Sequence, residues 1–103
     1  MSVATDTAVS IDTIEAKMDE LGYETEYVGD DNGTEFYIRI GDKEITIYNG
    51  VSGDYFRPED VTGADYYFGM MGKDLTERFA ECESIHDFVY IVQDAMAISF
   101  MPR

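Results

Sequence analysis

Ile11, Ile14, Met18 and Leu21 recur at helical intervals, while Asp12, Glu15, Asp19 and Glu20 fill the positions between them. That spacing predicts an amphipathic helix with one apolar stripe. Asp12 followed by Glu15 has capping-box spacing, Ser10 is an alternative cap, and Gly22 can take the left-handed conformation that stops a helix. The pattern then changes to alternation. Segments 23–28, 34–40 and 43–48 are rich in β-branched and aromatic residues, and the short turns Asp30-Asp31-Asn32-Gly33 and Gly41-Asp42 predict an antiparallel meander. Alternation assigns Phe36, Ile38, Ile40, Ile45 and Ile47 to the face toward the helix. Glu35, Tyr37, Arg39, Glu44, Thr46 and Tyr48 then point away, joined by Glu24 and Glu26 if Tyr23, Thr25 and Tyr27 face inward.

Periodicity fails from 49 to 72, where glycines recur and Pro58 is placed to begin a short helical turn. Two aromatic clusters lie here, Asp54-Tyr55-Phe56 and Asp65-Tyr66-Tyr67-Phe68, each too short to be a structural repeat. Segment 66–71 reads as a plug for the open end of the core, with flexible methionines filling gaps. The other reading is an exposed patch for a partner or for a second copy of the chain, a homodimer. Asp74 with Glu77, and Ser84 with Asp87, are starting pairs for two closing helices. The last carries Ile85, Phe88, Val89, Val92, Met96 and Ser99 on one face, with Ala95 beside them and Tyr90, Ile91 and Ile98 widening the apolar sector. The expected fold class is therefore α+β: an N-terminal helix, a three-stranded antiparallel meander, then two C-terminal helices packed on one face of the sheet. A single domain would span 10–101 after a loose tail at 1–9.

Composition narrows the function. The 103 residues are 45% hydrophobic, which sustains one core. Asp6 interrupts what a signal peptide would need as an apolar run, and no segment has the ~20 apolar residues of a membrane span. Cys82 is the one cysteine, so no intramolecular disulfide forms, and a reducing cytoplasmic setting is compatible. Cys82 and His86 stand four apart, the spacing of a thiolate–imidazole pair on a continuous helix, but Ser84 interrupts them as a new helix start. Asp30, Asn32 and Gly33 match the middle of a calcium loop, whose first and last ligand positions would be Val28 and Arg39; neither is a carboxylate. No phosphate-cradling loop is present. These readings predict no catalytic residue, no metal and no cofactor.

The remaining signal is charge. Asp and Glu number 22 against 7 Lys and Arg, a net charge of -15. Phosphate backbones and anionic lipid would repel the chain, so the expected partner is a basic protein, with no direct contact to nucleic acid or membrane. Fifteen charges equal those on about 25 Å of duplex. Concentrated on one face, they could occupy a basic groove as phosphates do, with tyrosines anchoring arginines. The candidate partner-binding residues are Glu24, Glu26, Asp30, Asp31, Glu35, Tyr37, Glu44 and Tyr48, with Asp54, Tyr55, Asp65 and Tyr66 as a second region. In order of elements and acidity, residues 10–100 resemble the small phage-encoded anti-CRISPR proteins, several of which are acidic helix-meander-helix domains. That resemblance implies an inhibitor that mimics nucleic acid against a nuclease complex in the host cytoplasm. The element order is also similar to a double-stranded-RNA-binding domain, whose function the scarcity of basic residues opposes. The alternative is an acidic interaction domain adapted to high salt, in which carboxylates spread evenly over the surface.

Overall fold

The computed structural model describes residues 8–97, Gly53 excepted. It corrects the expected architecture. Among the described residues a six-stranded antiparallel sheet dominates: β1 (Val9–Ser10), β2 (Glu24–Asp30), β3 (Gly33–Ile40), β4 (Lys43–Ser52), β5 (Tyr55–Phe68) and β6 (Met71–Asp74). Helices α1 (Ile11–Glu20), α2 (Thr76–Ala80) and α3 (Ile85–Met96) complete it. The sheet curls into a half-barrel and runs β1-β5-β4-β3-β2, with β6 also pairing to β5. The helix, three-strand meander and two helices read from the sequence thus omit half of the strands. The expected tail begins outside the described residues, and Val9 pairs with Phe56 in the sheet.

Of the missing strands, β1 falls in the expected tail, β5 lies within 49–72 and β6 begins at its end; in 49–72 a bulge hides the alternation. The β4–β5 register shifts between Tyr48 and Asn49 and again between Asn49 and Val51, which adds residues to one strand and breaks a simple period of two. Asn49 sits at φ 62° and Gly50 at φ 82°. A side chain on Gly50 would meet Val61 Cγ2 at 2.7 Å, so only glycine fits that crossing. Asn49 fastens the bulge: its Oδ1 accepts from Thr34 N at 3.3 Å, and its Nδ2 donates to Thr62 Oγ1 at 2.6 Å. Pro58 lies buried inside β5 instead of opening a helical turn.

All three helices pack on the face that carries Phe36, Ile38, Ile45, Ile47, Ala64 and Tyr66. Helix α1 buries Ile11, Ile14 and Met18 but leaves Leu21 exposed. Its N-cap is Ser10, without a side-chain cap hydrogen bond, and Gly22 at φ 88° donates to Asp19 O to close it. In α3 the cap is reciprocal, since Ser84 Oγ accepts from Asp87 N and Asp87 Oδ2 accepts from Glu83 N. Phe56, Phe79 and Phe88 meet edge to face, with centroids 5.2–6.4 Å apart, and tie β5 to α2 and α3. Helix α2 is held against β5 by Leu75 N donating to Ala64 O and Ala64 N donating to Thr76 Oγ1.

Several inward and outward assignments change. Ile40 is exposed at the end of its strand, and Tyr90 is 64% exposed on α3 instead of widening its buried face. Ile98 and Ser99 lie outside the described residues. Tyr66, expected at a binding surface, is completely buried in the core, where burial raises its phenol pKa. In the segment after it Phe68 packs against the core, but the methionines do not: Gly69 and Met70 form the tip of the β5–β6 hairpin, and Met70 is fully exposed.

Candidate protein-binding face

The face of the sheet away from the helices is organised by strand register. Directly paired residues share a face, which sets three rows across the strands. One is Val28, Glu35, Tyr48, Gly63; the next is Glu26, Tyr37, Thr46, Asp65, Asp74; the third is Glu24, Arg39, Glu44, Tyr67, Gly72. Rows are about 6.8 Å apart and strands about 4.8 Å apart, and each tyrosine has a carboxylate beside it on the neighbouring strand: Glu35 beside Tyr48, Glu26 beside Tyr37 and Glu44 beside Tyr67. Thr46, at the centre, is buried beneath them. Two glycines make room for the rings. A Cβ at Gly63 would approach Tyr48 Cδ2 to 3.3 Å, and one at Gly72 would clash with Tyr67 Cε1 at 2.8 Å, so each ring lies over a position without a side chain.

Arg39 organises one half of this face. Its Nε bonds Glu44 Oε2 at 2.5 Å, an outer nitrogen bonds Glu26 Oε1 at 2.8 Å, and the guanidinium lies 4.6 Å from the Tyr37 ring centre. The hydrogen bonds to Glu26 and then Glu44 raise the Arg39 pKa. Tyr37 donates its hydroxyl hydrogen to Glu35, and this bond to a carboxylate pushes the phenol up to about 12. The other half centres on Tyr48. Its pKa is raised by burial first, then by the fields of Asp65 and Glu35. Among the described residues no cationic side chain pairs with Glu35 or Asp65. Beside Tyr48, an open concavity of about 360 Å³ is lined by Val28, Asp30, Asn32, Gly33, Thr34, Glu35 and Asn49.

Of the residues predicted from the sequence, Glu24, Glu26, Glu35, Tyr37, Glu44, Tyr48 and Asp65 come together on this face. Asp30 and Asp31 flank it at the β2–β3 turn, where Asp30 Oδ1 accepts from Asn32 N. Asp54 and Tyr55 belong to the other end of β5, beside the start of α1 and the Arg57 guanidinium, 5.7 Å from the Tyr55 ring centre. Tyr67, from the second aromatic cluster and among the tyrosines expected to anchor arginines, joins the sheet face opposite Glu44. Asp74 was missed. Asp74 is placed by the β5–β6 hairpin, and hydrogen bonds from the Thr76 hydroxyl and N–H hold its carboxyl below the usual range.

Charge alone does not single out this face. Asp12, Glu15, Asp19 and Glu20 on α1, Glu77 and Glu81 by α2, and Glu83, Asp87 and Asp94 by α3 form an acidic coat over the helices. What distinguishes the sheet face is the interleaving of acid with three partly exposed tyrosines on paired strands.

Cys82 and His86 differ in their surroundings. Cys82 is buried ahead of α3, its Sγ donates to Ser84 O at 3.3 Å, and burial pushes the thiol up to about 11. His86 is exposed on α3. The Val28–Arg39 span is two strands and a tight turn, and no group of three potential metal ligands occurs among the described residues. No helix among them is long and apolar enough to cross a membrane. No protein-family model, curated protein or solved structure matches this chain.

Proposed function

We propose that this chain is a non-enzymatic binding domain whose tyrosine- and carboxylate-lined sheet face engages arginines of a basic, nucleic-acid-handling protein, as a decoy for phosphate. The observation that carries the reading is the Arg39 site. There the protein's own guanidinium lies against Tyr37 and bridges Glu26 and Glu44. Tyr48, between Glu35 and Asp65, offers the same chemistry to a guanidinium from outside. An anti-CRISPR-like inhibitor is the form of this reading that the acidity supports. The resemblance in element order no longer supports it, because the fold is not helix-meander-helix. A second reading, an acidic interaction domain adapted to concentrated salt, is favoured by the acidic coat on α1, α2 and α3.

Calorimetry with arginine-rich and lysine-rich peptides of equal charge separates the two. A guanidinium that stacks and bridges gains over an ammonium, so the arginine peptide should bind about tenfold more tightly, and Tyr48→Ala should remove most of the difference. Equal affinities, unaffected by Tyr48→Ala, would reduce the interaction to bulk charge.

A further inference from the structure

We infer that the free edge of β2 accepts an extended basic segment of the partner as an additional antiparallel strand. The inference rests on the partner being basic and adds how its backbone is held. Among the described residues strand β2 ends the sheet order and pairs only with β3, over its full length from Glu24 to Asp30. The other outer strands, β1 and β6, are shorter. A two-residue turn makes its flanking pair, Asp30 with Gly33, a hydrogen-bonded one, and antiparallel pairs then alternate. Thr25, Tyr27 and Gly29 are consequently the residues whose N–H and C=O point to the open side. The neighbouring hairpin agrees. Ile40 and Lys43 flank the next two-residue turn, so Ile38 and Phe36 bond toward β4, and the pairs Thr25–Ile38 and Tyr27–Phe36 leave their β2 members free.

Sheets usually protect such an edge with a bulge, a proline or a short strand. Among the described residues β2 has a continuous register without bulge or proline, and Tyr27 and Val28 are 42% and 43% exposed. Its protection is charge, through Glu24, Glu26 and Asp30. Charge also selects the occupant. Antiparallel addition of a second copy about Tyr27 would set Glu24 against Asp30 between chains that each carry -15, which opposes self-pairing. A strand with Lys or Arg at alternate positions sets those cations opposite Glu24 and Glu26, on the face shared with Arg39, and its intervening apolar residues opposite Thr25 and Tyr27.

The test uses the full chain, isotopically labelled, and a short peptide alternating Arg and Val, at low salt. The peptide should slow amide exchange at Thr25, Tyr27 and Gly29 by about tenfold or more, while a version N-methylated at alternate residues loses at least about tenfold in affinity. Thr25→Pro removes one edge donor without touching the β3 ladder, and should weaken peptide binding with the fold intact. Where Thr25→Pro does not fold, the N-methylated peptide carries the test. Equal binding by the N-methylated peptide, with perturbations on Tyr37, Tyr48 and Tyr67 and none on the edge amides, overturns the inference and leaves the face reading standing. Edge protection without peptide, accompanied by a dimer in sedimentation, overturns it in favour of a second copy. Failure of every basic peptide to bind overturns both readings.

Discussion

Phe36 and Tyr37 are consecutive in β3 and could hardly differ more in what they do. Phe36 is completely buried under the helices, whereas Tyr37 lies on the opposite face, donates to Glu35 and carries Arg39 over its ring. The pleat of one strand thus divides the molecule into a side that holds the fold and a side available for recognition. The acidic coat on the helices does not blur that division, because it lacks the register that places rings and carboxylates at fixed spacing. The largest expected effect separates the two sides directly. Phe36→Ala should cost about 3–5 kcal/mol in denaturant unfolding, while Tyr37→Ala should cost under about 1 kcal/mol. Comparable losses from the two would break the comparison.

Next in size is Arg39→Ala. Its carboxylate partners are more than one-third exposed, as is Arg39 itself, so the ion pairs contribute little to folding, and stability should fall by less than about 1 kcal/mol. Binding should move the other way. Freeing Tyr37, Glu26 and Glu44 adds a second guanidinium site, and affinity for an arginine-rich peptide should rise about two- to fivefold in calorimetry, the scale of an exposed cation–π contact. Lower affinity would mean that Arg39 itself meets the partner.

The smallest effect is an alkaline titration. Tyr37 holds its proton up to about 12 because ionisation would break its bond to Glu35 and set a phenolate beside it. With the folded value above the unfolded value near 10, the contribution to stability is complete below about pH 10 and lost as pH rises toward about 12. Absorbance titration should show a component near pH 12 that Tyr37→Phe removes. Persistence of that component in the variant would assign it to another tyrosine.

How much of this was legible in the sequence depends on where the alternation is unbroken. In β3 and in β4 up to Tyr48, period-two patterning and two-residue turns place Glu35, Tyr37, Glu44 and Tyr48 on one face, where the register puts them. Beyond Tyr48 the left-handed Asn49 and the Gly50 crossing shift the register, and glycines that look like loop formers are strand positions over which Tyr48 and Tyr67 lie. Of the neighbouring tyrosines both read as surface anchors, Tyr66 is therefore core and Tyr67 alone is surface. Met70 illustrates another limit, since hydrophobicity suggested a plug where the chain needed only a hairpin tip. Nothing in the spacing of acids separates those on the sheet from those on the helices. That distinction requires the cross-strand neighbours.

The most direct test of the sheet face as the recognition surface is the affinity for an arginine-rich peptide of two charge-reversed variants, at low and raised salt. Glu35→Lys combined with Asp65→Lys flanks Tyr48 with cations. Asp12→Lys combined with Glu15→Lys makes the same change in net charge on α1. The account predicts a loss of about thirtyfold or more for the first pair, close to 2 kcal/mol, and a much smaller loss for the second that disappears as salt screens it. Equal losses from the two pairs, equally screened, would contradict it.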